Sequence, residues 1–292
     1  MPVAITTLPD GRALAYDDVG DPGGAPILYV HGTPDSRRAR HPDDGIAASL
    51  GVRLIAVDRP GAGASDLHPA GTVGSFADDA AHLAAHLGIR RWGVLAWSAG
   101  SLFGLAVAAR HPDLVTRVGI AAGLPPFAAY AQPGVLDGAS SDRHAVAELG
   151  AELGAGAMAE LLAPLLVPYP CDEALAREHV LEGADAARRR VYDELPGALD
   201  AMAAGVLDSV AHGLDGLTRD IALQVEPPDI DLATIGCPVH LWFGTEDATA
   251  PPSFGRWLAD HLPHAQLEVL DGAGHLLLLT EWAAVLAALA LP

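Results

Sequence analysis

An apolar run ends in a serine set among small residues at Val94-Leu95-Ala96-Trp97-Ser98-Ala99-Gly100-Ser101, and an apolar helical stretch, Leu102 to Ala109, follows at once. A serine in such a strand-to-helix turn is held in an exposed, strained conformation with its hydroxyl clear of its neighbours. The usual pattern is G-x-S-x-G, because the helix must pass close to the strand. Gly100 supplies the second glycine, while Ala96 stands where the first would be. A serine hydroxyl attacks a carbonyl only when a base removes its proton and a carboxylate orients that base.

Among the 13 histidines, His275 follows an apolar run (Leu267 to Leu270) and the loop Asp271-Gly272-Ala273-Gly274. This is the carboxyl end of a strand, where open α/β sheets place their sites. Asp247, in Gly244-Thr245-Glu246-Asp247-Ala248-Thr249-Ala250-Pro251, occupies the loop after an earlier strand and is the candidate acid, with Glu246 the alternative. The order Ser98, Asp247, His275 is that of nucleophile, acid and base in this architecture. Acyl transfer also needs two N–H donors for the developing oxyanion. Pro34 has no N–H, so the expected donors are the backbone of Thr33, in His31-Gly32-Thr33-Pro34, and of Ala99, at the positive end of the following helix. His31 itself reads as a turn-stabilising residue.

The elements needed to position these groups are legible as a pattern. Val3 to Leu8 and Arg12 to Asp18 flank Asp10-Gly11, a hairpin signal. Short apolar runs then alternate with amphipathic ones: Ile27 to Val30, helix-like Ser36 to Leu50, Arg53 to Val57, helix-like Phe76 to Leu87, Trp92 to Trp97, Ala99 to Arg110 and Leu114 to Ala121. From Pro125 to Leu232 the chain is rich in Ala, Leu, Glu, Asp and Arg. Alternation resumes at Val239 to Phe243, Phe254 to His261 and Gln266 to Leu270, and closes with a helix from Leu276 to Leu289. The expected architecture is therefore α/β: a mostly parallel central sheet with helices on both faces. Residues 1–124 and 233–292 form one core domain, and 125–232 form a helical cap inserted after the sixth strand.

With these residues in place the sequence resembles α/β-hydrolase fold proteins over essentially its full length. His31-Gly32-Thr33-Pro34, Asp58-Arg59-Pro60-Gly61-Ala62-Gly63-Ala64-Ser65-Asp66, the serine turn, Gly244-x-x-Asp247-x-x-x-Pro251 and Gly274-His275 match that family's pattern in order. The resemblance implies a structural role for the Asp58 to Asp66 loop. Ser98 speaks against the dehalogenase and epoxide hydrolase branches, which attack with an aspartate. Thr33 and Asp35 depart from the His-Gly-Gly-Pro-Gly of proline iminopeptidases.

Composition narrows the chemistry further. The 292 residues carry 37 acids and 17 basic residues, all arginine, for a net charge of -20. Nucleic acid and anionic membrane are excluded as partners, and without lysine there is no Schiff-base nucleophile or P-loop. Cys171 and Cys237 read as small buried hydrophobes in a reducing compartment. Met1 to Asp10 has no signal-peptide pattern, so a soluble cytoplasmic protein is expected. His82 and His86, spaced i and i+4, lack the glutamate of a zinc-binding helix, and no metal or cofactor is expected. The run Arg188 to Arg190 reads as a solvated helix face.

The expected activity is hydrolysis of a small-molecule ester or lactone through an acyl-enzyme on Ser98. Carbon–carbon bond hydrolysis or cofactor-free perhydrolysis on the same residues, and a non-catalytic binding protein of this fold, are the alternatives. Trp97, Phe127, Tyr130 and Tyr169 are candidate substrate contacts. Met158, Leu161, Leu162, Leu165, Leu166 and Met202 are further apolar cap residues that could line an acyl pocket.

Overall fold

The computed structural model describes residues 3–290; Met1, Pro2, Leu291 and Pro292, counted in the expected core segments, lie outside them. Eight strands form one sheet: β1 (Ala4–Thr7), β2 (Ala13–Gly20), β3 (Ala25–Val30), β4 (Val52–Val57), β5 (Trp92–Trp97), β6 (Val115–Ala121), β7 (Val239–Gly244) and β8 (Ala265–Leu270). Their spatial order is β1-β2-β4-β3-β5-β6-β7-β8. β1 and β2 are the expected hairpin, β2 runs antiparallel to β4, and every other pairing is parallel. All six residues of β5 are buried. A strand covered on both faces needs an unbroken apolar run of this kind.

The helices of the sheet layers are α1 (Gly45–Ser49), α2 (Val73–His86), α3 (Gly100–Arg110), and, further along the chain, α10 (Pro252–His261), α11 (Leu277–Thr280) and α12 (Trp282–Ala290). α1 and α12 pack on one face, and α2 and α3 on the other. Between β6 and β7 lie α4 (Ser141–Leu153), α5 (Ala155–Leu166), α6 (Glu173–Glu182), α7 (Ala186–Glu194), α8 (Ala198–Ser209) and α9 (Leu214–Val225). Of these, α5, α6, α8 and α9 share a small apolar core of their own, which includes Ala159, Ala163, Val167, Ala176, Ala203 and Val206. Among the described residues no helix is long and apolar enough to cross a membrane.

Helix α3 meets the sheet at unusually short range. A Cβ on Gly100 would collide with the carbonyl oxygens of His31 and, at 2.6 Å, Val30. A Cβ on Gly104, one turn further on, would lie 2.7 Å from the Cβ of Ala96. That second contact explains how β5 carries alanine at the place of the usual glycine: the helix residue facing it has no side chain.

Four expectations are corrected. Ser36 to Leu50 is not one helix, and only Gly45–Ser49 is helical. Pro42 cannot donate to a helical ladder, and the N–H groups of Arg37 and Arg38 are taken by Asp58 Oδ1 and Ser36 Oγ. The last helix is divided into α11 and α12 around Glu281, where Thr280 Oγ1 donates to the Leu277 carbonyl. Cys171 and Cys237 are half-buried, since both sit in connections beside prolines and outside the core. Arg188 to Arg190 is no free face. Arg188 donates to Thr249 Oγ1 at 2.8 Å and Arg190 to Glu246 at 2.7 Å, both in the loop after β7, while Arg189 donates to the Ala184 and Leu181 carbonyls.

The Asp58 to Asp66 loop is held by charge. Asp58, fully buried, accepts from the Arg37 N–H and guanidinium and from the Ala64 N–H. The Arg59 N–H donates to His31 Nε2 at 3.0 Å, and His31 Nδ1 donates to the Gly32 carbonyl at 2.8 Å. Burial, aided by the Arg59 charge, holds the His31 imidazole well below its ordinary value, and the Gly32 bond only partly opposes this.

Two outcomes follow from this packing. Gly104→Ala should lower stability by about 1–3 kcal/mol, less the ~1 kcal/mol that alanine adds in a helix; adding Ala96→Gly should restore most of the loss in urea unfolding. Strictly additive effects would show that the two positions do not share the space. The neutral His31 stays unprotonated in the fold while an unfolded histidine takes its proton near pH ~6.5. Its contribution to stability is therefore full above that pH and is lost as pH falls through it, by up to about 1.4 kcal/mol per pH unit. Unfolding free energies of His31→Asn should lack this part of the acid slope, and an equal slope would refute the assignment.

Candidate active site

The three expected residues meet at the carboxyl ends of β5, β7 and β8. Ser98 follows β5 directly with a φ of 52°, the left-handed region that disfavours any residue with a Cβ. Its N–H donates to the Ala121 carbonyl at the end of β6, and its carbonyl accepts from Ser101 in the first turn of α3. A strand on one side and a helix on the other thus force the strained backbone, whose cost is of the order of 1–3 kcal/mol.

Ser98 Oγ lies 3.1 Å from His275 Nε2, and His275 Nδ1 lies 2.7 Å from Asp247 Oδ2. A carboxylate only accepts, so Nδ1 carries the proton and Nε2 is the acceptor for the serine hydroxyl. Asp247 Oδ1 accepts from the N–H groups of Thr249 and Ala250 at 2.8 and 2.9 Å. Burial alone would push the Asp247 carboxyl up; the His275 charge and hydrogen bond, with the two backbone donors, outweigh it and hold the group below the usual carboxylate range. Glu246, the alternative acid, is half exposed and turns away to Arg190. Trp97 donates from Nε1 to the His275 carbonyl at 3.1 Å, fixing the backbone that carries the imidazole.

The loop after β3 closes the other side. A Cβ on Gly32 would lie 3.1 Å from Ser98 Cβ, so only glycine lets the loop approach this closely. Neither the Thr33 nor the Ala99 N–H has a hydrogen-bond partner among the described residues. The Thr33 side chain is fixed by Arg59, by Asp220 of α9 and by Gln224. Arg59 also pairs with Asp220, donates to the Gly32 carbonyl at 2.6 Å and lies 4.4 Å from the Phe103 ring centre.

Above these groups is a cavity of about 370 Å³ between the sheet and the inserted helices. Trp97, Phe127 and Tyr130 line it, with Met158, Leu162, Leu166 and Met202. Tyr169 does not: it is 55% exposed, in the connection after α5, and Leu161 and Leu165, each a residue before Leu162 and Leu166 and so turned from them around the α5 axis, are exposed too. Asp35, Arg188, Tyr192 and Gln224, none of them a site candidate from the sequence, bring polar atoms to the cavity wall. Only the three-dimensional return of α7 and α9 over the β3 loop could identify them. Among the described residues no group of three or more His, Cys, Asp or Glu is placed to hold a metal ion.

Known proteins resemble this chain in sequence and in fold. Residues 25–145 match the family model described as alpha/beta hydrolase fold. A pimeloyl-[acyl-carrier protein] methyl ester esterase of Chromobacterium violaceum is 32% identical over 234 residues, covering 79% of this chain and 80% of its own. A proline iminopeptidase of Xylella fastidiosa is 33% identical over 123 residues, 39% of this chain and 37% of its own. Among solved structures, a bromoperoxidase from Bacillus anthracis superposes with a TM-score of 0.69 at 21% identity, over 99% of this chain and 98% of its own. A relative 32% identical and covered over four-fifths of its own length shows the family: the chain belongs to the α/β hydrolase fold family.

Proposed function

We propose that this protein is a serine hydrolase of small-molecule esters or lactones that works through an acyl-enzyme on Ser98. The observation that carries the proposal is the hydrogen-bonded sequence from Ser98 Oγ through His275 to Asp247 at the floor of the cavity. Ser98 Oγ attacks the acyl carbonyl while His275 Nε2 takes its proton, and Asp247 keeps the imidazole in the required tautomer and offsets its charge. The carbonyl oxygen gains negative charge opposite the unpartnered N–H groups of Thr33 and Ala99. Collapse breaks the bond to the alkoxy group, which leaves with the proton from His275. A water then repeats the sequence on the acyl-enzyme, so that an acid is released and Ser98 regains its hydrogen.

The helices of residues 125–232 act in this reading as the cap that shapes the acyl pocket, with Phe127 and Tyr130 against the substrate. The esterase relative, matched over most of its length, supports an ester in preference to a peptide bond, since the iminopeptidase match spans little more than a third of either chain.

Ser98→Ala should reduce turnover of p-nitrophenyl esters by ~10³-fold or more without unfolding the chain, and a fluorophosphonate should label only the parent protein, at Ser98. Residual turnover above about a hundredth of the parent's would remove Ser98 from the role of nucleophile. Asp247→Asn should cost up to ~10⁴-fold, whereas Glu246→Gln should have little effect; the reverse ranking would shift the acid by one residue.

A further inference from the structure

The cavity holds a second carboxyl group that the hydrolytic scheme does not use. Asp35, which follows Pro34 in the loop after β3, is buried to 7% exposure and lines the cavity beside Ser98. Neither of its oxygens has a hydrogen-bond partner among the described residues, and Oδ1 is sealed from solvent. Oδ1 packs against Gly205 of α8, where a Cβ would come within 2.8 Å of it. Oδ2 lies 3.2 Å from the point at which a Cβ on Gly32 would stand 3.1 Å from Ser98 Cβ, so the oxygen and the serine border one small space.

Burial drives the Asp35 carboxyl well above the usual carboxylate range; the Arg59 charge opposes this and the Asp220 charge adds to it. Arg59 is already engaged by Asp220 and the Gly32 carbonyl. Tyr29 of β3 and Tyr192 of α7, both kept neutral by burial, face Asp35, and His31, Arg188 and His275 line the cavities it borders; His275 acts alike on every ester. A neutral carboxyl is a hydrogen-bond donor, which a carboxylate is not.

We propose that Asp35 is a specificity-determining residue, a neutral acid that donates from Oδ2 to an acceptor oxygen on the α-carbon of the acyl group, so that the preferred substrates are esters of 2-oxygenated acids. The inference rests on the acyl-enzyme reading, because an acyl carbon bonded to Ser98 Oγ is two bonds from Ser98 Cβ. An oxygen on the next carbon then falls within reach of Oδ2. Only an acceptor relieves the donor. An alkyl chain leaves it buried and unpaired, at a cost sites of this type convert into selectivity.

The test is a pair of nearly isosteric esters, ethyl methoxyacetate and ethyl butanoate, followed by pH-stat. The ratio of their kcat/KM values is compared between parent and variants, which cancels their difference in intrinsic reactivity. Asp35→Leu should lower the methoxyacetate-to-butanoate ratio about 10-fold, and Asp35→Asn, whose amide still donates, should lower it less. As the pH is raised above the usual carboxylate range the parent's ratio should decline once the carboxyl ionises, while that of Asp35→Asn stays level. Should Asp35→Leu fail to fold, the pH dependence of Asp35→Asn carries the test alone. A ratio equal in parent and Asp35→Leu, or a ratio in Asp35→Asn that tracks the parent's decline, overturns the inference. Fluorophosphonate labelling of Ser98 is measured on the same samples: its persistence with an unchanged ratio refutes Asp35 alone, and its absence from the parent refutes the acyl-enzyme.

Discussion

The closeness of α3 to the ends of β3 and β5 is the constraint on which the rest of the site depends. The first turn of the helix lies on the carbonyls of Val30 and His31, and Ser98 is the hinge between strand and helix. Its left-handed backbone is stable because both neighbours are anchored in the core, with β5 buried along its length and Leu102, Phe103 and Leu105 buried on the helix. The same closeness brings the Gly32 loop against the serine, and residues 33 and 99, whose amides have no partner among the described residues, line the same cavity as Ser98. The strained serine backbone and the approach of the Gly32 loop are therefore consequences of a single packing distance.

Charge does what packing cannot do for the loops. Every cation of this chain is an arginine, whose planar fork can hold several acceptors at once. Arg37 holds Asp58, Arg59 joins the β3 loop to α9, and Arg188 and Arg190 join α7 to the loop bearing Asp247. The helices inserted between β6 and β7 are thus tied to both loops that flank Ser98. The pair of Arg59 with Asp220 is largely buried, and removing one partner of such a pair typically costs about 3–5 kcal/mol. The half-exposed pair of Arg190 with Glu246 contributes little by comparison.

What the sequence disclosed followed from periodicity and turn chemistry. The strands β3 to β8 stand where short apolar runs end in glycine or small residues, and Ser98, Asp247 and His275 were found because each lies just past such a run. Ser36 to Leu50 misled because its apolar spacing was helical while Asp58, which takes the Arg37 amide, stands 21 residues away in the chain. Arg188 and Arg190 looked solvated for a similar reason: Thr249 and Glu246, which accept from them, are more than fifty residues away in the chain. Asp35 was visible only as a departure from a known motif. Its burial depends on α8, whose placement no local pattern encodes.

The opposition of Ala96 to Gly104 has a consequence for how such sites are recognised. What the turn requires is not a glycine at a fixed place but a missing methyl somewhere between one strand residue and one helix residue. A search for G-x-S-x-G examines one side of that contact and passes over a chain that has left the space on the other. The signature is better written as a volume divided between positions 96 and 104, and sequences that carry the methyl on either side satisfy it equally.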